Sequence, residues 1–342
     1  MRIVIPSIQV PFIKGGAELM TKGLRDALRK HGHQVEIVTI PFKFSPKSYI
    51  EDLIDIWQKQ DFNDFNGYQI DRVIVLQFPA FYVRHKHKIL WLMHQHREVY
   101  ELYDAQNTSD EIKHLKEKIH TIDTQELSKI KERFSMCYNV SNRLEKYNNL
   151  EATPLYHPPA NEEAFYCDES YGFIFCPSRL EKLKRQDLLI KAMQYTKSDA
   201  VAIIAGDGGQ KEYYTSLVSQ LNLTKKVRLI GSFSEEEKIV LYARSLAVFF
   251  APYDEDYGYI TLEAMLSSKA VITCSDSGGP LEFVVDHESG FIVEPDPQKI
   301  AKKIDWLYER QHKAKEMGAK GLQHYKSKNI SWDNVVHSLL GE

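Results

Sequence analysis

The sequence predicts an α/β protein built from two doubly wound, parallel-sheet domains. Three observations carry this reading. The chain has 342 residues, more than one hydrophobic core usually spans, so two domains are expected. Its strand-like runs, such as "RVIVLQF" and "LAVFFAP", are nearly continuous in apolar residues, as strands covered on both faces require. These runs alternate with amphipathic helical segments, the pattern of repeated βαβ units.

In the first series "RIVIPS" (2–7) reads as a strand, followed by a loop holding Gly15 and Gly16. The helix "AELMTKGLRDALRKHGH" comes next, with Leu19, Met20, Leu24, Ala27 and Leu28 on one face. Strands follow at "VEIVTI" (35–40), "RVIVLQF" (72–78) and "KILWLMH" (88–94). Lys- and Glu-rich helical sequence fills about 109–133, ahead of "SMCYNVS" (135–141) and "ATPLYHPP". Residues 41–70 fit no motif.

The second series starts at "YGFIFCPS" (171–178). Its strands "DAVAIIAG" (199–206), "KVRLIGS" (226–232), "LAVFFAP" (246–252) and "AVITCS" (270–275) alternate with helices such as "RQDLLIKAMQYT" and "SEEEKIVLYARS". The proline-bearing, polar stretch "HPPANEEAFYCDES" (157–170) separates the series, so domains of 1–160 and 168–325 are expected. Ligands of such sheets bind beyond the carboxyl ends of the strands, and two domains can turn those ends toward a shared cleft.

Composition narrows the function. With 43% hydrophobic and 27% charged residues and a formal net charge of −3, the chain reads as an ordinary globular protein with no basis for nucleic-acid binding. Cys137, Cys167, Cys176 and Cys274 lack CxxC spacing and read as thiols of a reducing cytosol. No segment has the form of a signal peptide or of a span of about 20 apolar residues. The expectation is a soluble, cytoplasmic protein. Residues 1–160 hold 22 Lys and Arg against 20 Asp and Glu, a slight basic bias that suits peripheral contact with the inner face of a membrane.

Several strand-end loops carry chemistry. Glycine at 15 and 16 lets backbone N–H groups approach an anion at a helix start, although a plain turn would use the same residues. A GxGxxG fingerprint is missing, which counts against a dinucleotide dehydrogenase. In "PSRLEKLKRQDLLIKA" (177–192), Arg179 and Lys184 bracket a strand-to-helix loop and suit a diphosphate; solvated loop charges are the plain alternative. "AGDGG" (205–209), with Gly206, is a further gap of phosphate or sugar size, or a turn. His94, at the end of "KILWLMH", could orient or deprotonate a hydroxyl.

The most informative block is "APYDEDYGYITLEAMLSSKAVITCSDSGGPLEFV". Glu255 falls in an acidic loop with Gly258, and Glu263 falls about one turn inside the following helix. Amides near Tyr259, Ile260 and Thr261 would face an anion. The two glutamates could accept hydrogen bonds from hydroxyl groups; singly, each could be a solvated charge or a first-turn dipole partner. No His or Asp lies at ligand spacing, and "DEDYG" is not a calcium loop, so no metal site is expected.

These motifs, in this order over roughly 300 residues, resemble the retaining glycosyltransferases of family 4, the group 1 glycosyltransferases of GT-B fold. The match comprises Gly15-Gly16, His94, "SRLEKLKRQDLLIKA", "GDGG", "LIGSF", the E-x7-E from Glu255 to Glu263, "GGPLEFV" and "SGFIV". The resemblance implies two facing Rossmann-like domains with an interdomain cleft and a last helix, about 328–342, that crosses back to the first. It implies metal-independent, retaining transfer of a hexose-type sugar from a nucleotide-diphosphate sugar, UDP- or GDP-linked, to a hydroxyl acceptor, with no other cofactor. Arg179 and Lys184 would hold the diphosphate, Glu263 the ribose and Glu255 the donor sugar. Tyr257 and the backbone from Gly258 through Tyr259 and Ile260 to Thr261 would cover the sugar and phosphates. Gly16 and Gly206 would approach the donor, Gly231 would border the base, and His94 would face the acceptor. The family often has E-G-F-G where this chain has Glu255-Asp256-Tyr257-Gly258, so Asp256 adds a carboxylate that leaves the donor open. A monomer or weak dimer is expected. A sugar-nucleotide 2-epimerase of the same architecture, or a non-catalytic sugar-nucleotide-binding subunit, are the alternative readings.

Overall fold

A computed structural model describes residues 1–12 and 15–341; Glu342, the end of the expected C-terminal helix, lies outside them. The chain divides into two units, Met1–His157 with Ser331–Glu342, and Pro158–Ile330.

The first unit opens with β1 (Arg2–Gln9), α1 (Gly16–Lys30), β2 (Gln34–Pro41) and α2 (Lys47–Lys59). A small hairpin of β3 (Asp64–Phe65) and β4 (Tyr68–Gln69) follows, so residues 41–70 form a helix and a hairpin. Then come β5 (Arg72–Gln77), β6 (Lys88–His94), α3 (Asp110–Ser128), β7 (Glu132–Ser135), α4 (Tyr138–Asn148) and β8 (Thr153–Pro154). The sheet order is β2-β1-β5-β6-β7-β8, with parallel pairing throughout. The helical reading of 109–133 overran β7. Lys129 caps α3, and Glu132–Ser135 pairs with Ile89–Leu92. Cys137 then starts α4, its Sγ accepting from Val140 N at 3.4 Å, so most of "SMCYNVS" is helix entry.

The second unit contains β9 (Phe173–Pro177), α5 (Gln186–Ala192), β10 (Val201–Ala205), α6 (Lys211–Gln220), β11 (Val227–Gly231), α7 (Glu235–Arg244) and β12 (Ala247–Phe249). It continues with α8 (Tyr259–Leu266), β13 (Ala270–Cys274), β14 (Gly290–Val293), α9 (Pro297–Glu309) and α10 (Gln311–Ser327). The order β11-β10-β9-β12-β13-β14 is again parallel. All five residues of β9 and of β13 are buried, as helices on both faces of a parallel sheet demand. Local chemistry sets helix starts. Ser234 and Glu237 close a reciprocal capping box at α7, and Asp296 caps α9 ahead of Pro297. Strand order reverses between β9 and β12. Loops leaving neighbouring strands at such a switch point diverge and open a crevice beyond their carboxyl ends.

The final helix α11 (Trp332–Leu340) returns to the first unit. Trp332 lies against Gly23 of α1, where a Cβ would come within 2.2 Å of its ring. Among the described residues no helix is long and apolar enough to cross a membrane.

Two tight features make predictions. Gly318 of α10 packs on the backbone of Ser268, where a Cβ would meet the carbonyl oxygen at 1.9 Å, whereas Gly321 has 3.4 Å to a Met265 side-chain carbon. Gly318→Ala should destabilise by about 1–3 kcal/mol through overpacking. Gly321→Ala should be neutral or stabilising by up to about 1 kcal/mol, from helix propensity; urea unfolding of the pair checks the contrast. In the first unit Asp123 is fully buried and accepts from Tyr82, from Tyr100 at 2.7 Å and from Gln95 at 3.4 Å. Burial pushes its carboxyl up to about 7, against about 4 in an unfolded chain. The folded state therefore holds this proton more tightly. Its stabilisation is complete below pH 4 and is lost as the pH rises through 7. The unfolding free energy of the wild type relative to Asp123→Asn should fall over that window by a few kcal/mol at most, at about 1.4 kcal/mol per pKa unit. A pH-independent difference would refute the assignment.

Candidate active site

The loop after β9 is clamped onto the loop after β10 by backbone alone. Ser178 N donates to Ala205 O at 3.0 Å, Leu180 N to Asp207 O at 2.9 Å, and Gln210 N to Leu180 O at 2.8 Å. A Cβ on Gly206 (φ +137°) would sit 1.9 Å from Ser178 O, and one on Gly208 (φ +153°) 2.6 Å from Leu180 O. Gly206 and Gly208 of "GDGG" are thus accounted for by two loops in van der Waals contact. Arg179 is exposed at this junction, its carbonyl accepting from Gln186 at 2.9 Å. Gly231 (φ +75°) ends β11 with open space around it and accepts from Gly206 N at 2.8 Å.

After a 3₁₀ turn at Lys182–Lys184, Arg185 adopts a left-handed backbone (φ 51°). Its guanidinium donates to the carbonyls of Ala251 and Pro252, both at 2.8 Å, and forks onto Asp276 at 2.8 and 2.6 Å. Tyr253 N adds a bond to Leu183 O at 2.8 Å. Loops from the neighbouring strands β9, β12 and β13 are thereby fixed together at the switch point.

The acidic loop runs along the "DSGGP" segment as a short parallel bridge. Asp254 N donates to Asp276 O at 2.9 Å, Glu255 N to Ser277 O at 3.0 Å and Gly279 N to Glu255 O at 2.8 Å. A Cβ at Gly279 would lie 2.6 Å from Asp256 O, and Gly258 (φ +86°) abuts Pro280. This rail carries the Glu255 carboxylate to Lys184, whose Nζ is 2.6 Å from both carboxylate oxygens. The pair is largely shielded, with side chains 16% and 19% exposed, so the interaction is stronger than a surface ion pair. Asp256 is half-buried beside it.

Gly258 opens α8. Tyr257 is buried, its ring edge-on to Phe283 and to Tyr259 at 5.6 and 5.4 Å, so its side chain packs the underside of the loop. Thr261 N closes the first turn on Gly258 O at 2.9 Å, Thr261 is fully buried and Ile260 is half-buried.

Glu263 is not the open clamp that the spacing suggested. It is buried, with one oxygen 3.1 Å from Lys238 Nζ and the other accepting from Tyr242 at 2.7 Å. Burial raises its pKa, opposed by the Lys238 charge and the Tyr242 hydroxyl. A carboxylate offers about four lone-pair sites, so capacity for further donors remains. Lys238 and Tyr242 are the partners of Glu263 that the sequence reading did not pick out. They lie four apart on α7, on one helix face.

In the first unit, His94 ends β6, half-buried, its Nδ1 2.8 Å from Gln95 O. Gln95 is tied to Asn148 at 2.7 Å and to the buried Asp123, so the strand end rests on a polar network that no motif announced. Gly16 is the first residue of α1, and Gly15 N donates to Glu18 at 2.8 Å. That carboxylate already occupies part of the helix N-terminus expected to meet a phosphate. Among the described residues no group of three or more His, Cys, Asp or Glu could hold a metal ion.

Residues 161–324, within the second unit, match the family described as glycosyl transferases group 1. The alpha-1,3/1,6-mannosyltransferase ALG2 of Mus musculus is 34% identical over 113 residues, 32% of this chain and 27% of that protein. The chain spans only 27% to 40% of the length of the first curated relatives it matches. Over both units, sucrose-phosphate synthase from Thermosynechococcus elongatus superposes with a TM-score of 0.79 at 16% identity, covering 99% of this chain and 98% of that one. Anabaena HepE, solved with UDP and glucose, superposes at 0.71 with 16% identity and complete coverage of both chains. The fold is GT-B, two Rossmann-like parallel-sheet units, and the second unit carries the match to the group 1 glycosyl transferases.

Proposed function

We propose that the chain is a retaining glycosyltransferase of family 4, moving a hexose-type sugar from a nucleotide-diphosphate sugar to a hydroxyl acceptor without a bound metal or other cofactor. The observation that carries this is the Lys184–Glu255 pair at the β9/β12 switch point, 2.6 Å apart. It sets a cation for a departing diphosphate beside a carboxylate for sugar hydroxyls. HepE, of the same fold, is described with UDP and glucose, which supports a nucleotide-sugar donor.

In this reading Arg179 and Lys184 stabilise charge on the diphosphate as the bond from the anomeric carbon to its phosphate oxygen breaks. Glu255 fixes the sugar through its hydroxyls. Glu263, steadied by Lys238 and Tyr242, takes the ribose hydroxyls. The backbone from Gly258 to Thr261 covers the phosphates, Gly231 borders the base, and His94 serves the acceptor. The acceptor hydroxyl attacks from the face the diphosphate leaves, and its proton passes to the leaving phosphate oxygen, giving retention. A covalent route needs a carboxylate on the opposite face of the anomeric carbon, and Glu255 is assigned to remote hydroxyls.

Lys184→Ala and Glu255→Ala should each lower kcat/KM by ~100-fold or more with the thermal midpoint retained. Because the two share one ion pair, the double variant should lose far less than the product of the single losses. Wild-type turnover in both single variants rules the reading out. A thermal-shift panel of nucleotide diphosphates and their sugars names the base, since a ligand at 100 times its Kd adds about 2.7 kcal/mol. Hydrogen exchange at the donor C2 without acceptor would replace transfer by epimerisation. Lys238→Met should raise the donor KM more than it lowers kcat, as expected for a group that steadies ribose binding.

A further inference from the structure

A second, separate recess lies at the other end of the first unit's sheet. From just after the 3₁₀ turn Ala80–Tyr82 to the first residue of β6 the chain reads Arg84-His85-Lys86-His87-Lys88, five basic residues in a row. They line a recess of about 540 Å³ together with Arg72 at the start of β5 and residues 129–132 leading into β7. β5, β6 and β7 are parallel, so the recess sits at their amino ends. His94 is at the carboxyl end of β6, six residue steps from Lys88, or ~20 Å at 3.3 Å per residue. This recess is therefore distinct from the candidate active site.

Its charge is lopsided. Arg72, Arg84, Lys86, Lys88, Lys129 and Lys131 face Glu126 and Glu132, in a chain whose formal net charge is −3. Among the described residues only Lys129 of these six is ion-paired, with Glu126 at 2.7 Å. The two guanidinium groups donate to backbone carbonyls instead, Arg72 to Asp71 O and Arg84 to Lys59 O, each at 2.9 Å. The Lys88 ammonium donates to Phe81 O at 2.9 Å and Val83 O at 3.0 Å, leaving its third N–H for a ligand. Burial pulls its pKa down to about 8, so the charged form is held there at a cost that a bound anion would offset. His85 adds shape: its Nε2 is 3.1 Å from Ile70 O and its Nδ1 accepts from His87 N at 3.0 Å, which fixes one neutral tautomer.

We propose that this recess binds a phosphate-bearing anion, with Lys88 and Arg84 at its wall and Lys86 and Lys131 at its exposed rim. Ammonium point charges and planar guanidinium forks together suit phosphate oxygens, and the volume falls in the range of small-molecule sites. A soluble phosphoanion and the headgroup of an anionic lipid share this chemistry.

The test uses the full chain in a Lys184→Ala background, so that the candidate donor site contributes little, at about 0.15 M salt to screen diffuse attraction. Inorganic pyrophosphate is titrated calorimetrically, and vesicles of phosphatidylglycerol with phosphatidylcholine, or of phosphatidylcholine alone, are co-sedimented. The comparison is Lys86→Glu/Lys131→Glu, with Lys86→Gln/Lys131→Gln as a milder variant; both side chains are exposed, so the thermal midpoint should hold. One saturable pyrophosphate site, weakened at least ~10-fold by either double variant, supports a soluble ligand. Sedimentation with phosphatidylglycerol vesicles alone, abolished by the variants, supports a lipid-borne phosphate. Failure of both probes, or binding equal in wild type and variants, overturns the proposal. In the otherwise wild-type chain, either double variant should leave transfer to a soluble acceptor unchanged.

Discussion

Arg185 holds the second unit's strand ends in register with one another. A left-handed backbone at a residue with a side chain costs roughly 1–2 kcal/mol, and here the fork supplies the compensation. It satisfies two carbonyls of the β12 loop and both oxygens of Asp276 beyond β13, in charge-assisted geometry that only a planar guanidinium can match. Remove the fork and three consequences follow together. The strained turn at residue 185 loses its compensation, Asp276 loses its cation, and the rail that positions Glu255 loses its side-chain anchor at Asp276. Lys184, one residue away, is carried by the same turn, so its distance to Glu255 is a consequence of the Arg185 geometry.

On that scaffold the second unit keeps two shielded ion pairs, Lys184–Glu255 and Lys238–Glu263. Shielded pairs are expensive, since desolvation can match or exceed the attraction regained. An apolar pair would fold as well. Both pairs lie at strand or helix ends beside the switch point, where a polar, partly charged molecule would be bound, and neither belongs to the apolar clusters that flank the sheet. In the proposed function both pairs serve a bound donor.

Much of this was legible in the sequence, because buried parallel strands announce themselves as short apolar runs and the loops between them as glycine, proline and charge. β6 was read to the residue, and Lys184 and Glu255 were singled out 71 positions apart before their 2.6 Å contact was known. What was not legible depends on tertiary neighbours. The second carboxylate, Glu263, is met by Lys238 and Tyr242 from another helix. Nothing in one dimension separates Arg185 from the other cations of its loop. Asp123 sits in a Lys- and Glu-rich helix whose periodicity gives no hint that one carboxylate faces inward, and that same helical signal ran over Glu132 and Arg133, the first two residues of β7. At Gly206 the sequence left a ligand gap and a turn both open, since a glycine that admits a ligand and a glycine that admits a neighbouring backbone look identical in one dimension; the structure shows the backbone of Ser178 there.

The return of α11 to the first unit also orders events in time. Trp332 fits over Gly23 and meets Trp91 edge-on at 6.2 Å, and Asp333 reaches His31 at 2.9 Å. These partners leave the ribosome hundreds of residues before the helix that covers them. While the intervening unit is being synthesised, the nascent first unit exposes the apolar ground that Trp332, Val335, Val336 and Leu339 will later occupy. Its last packing step must wait for the whole second unit.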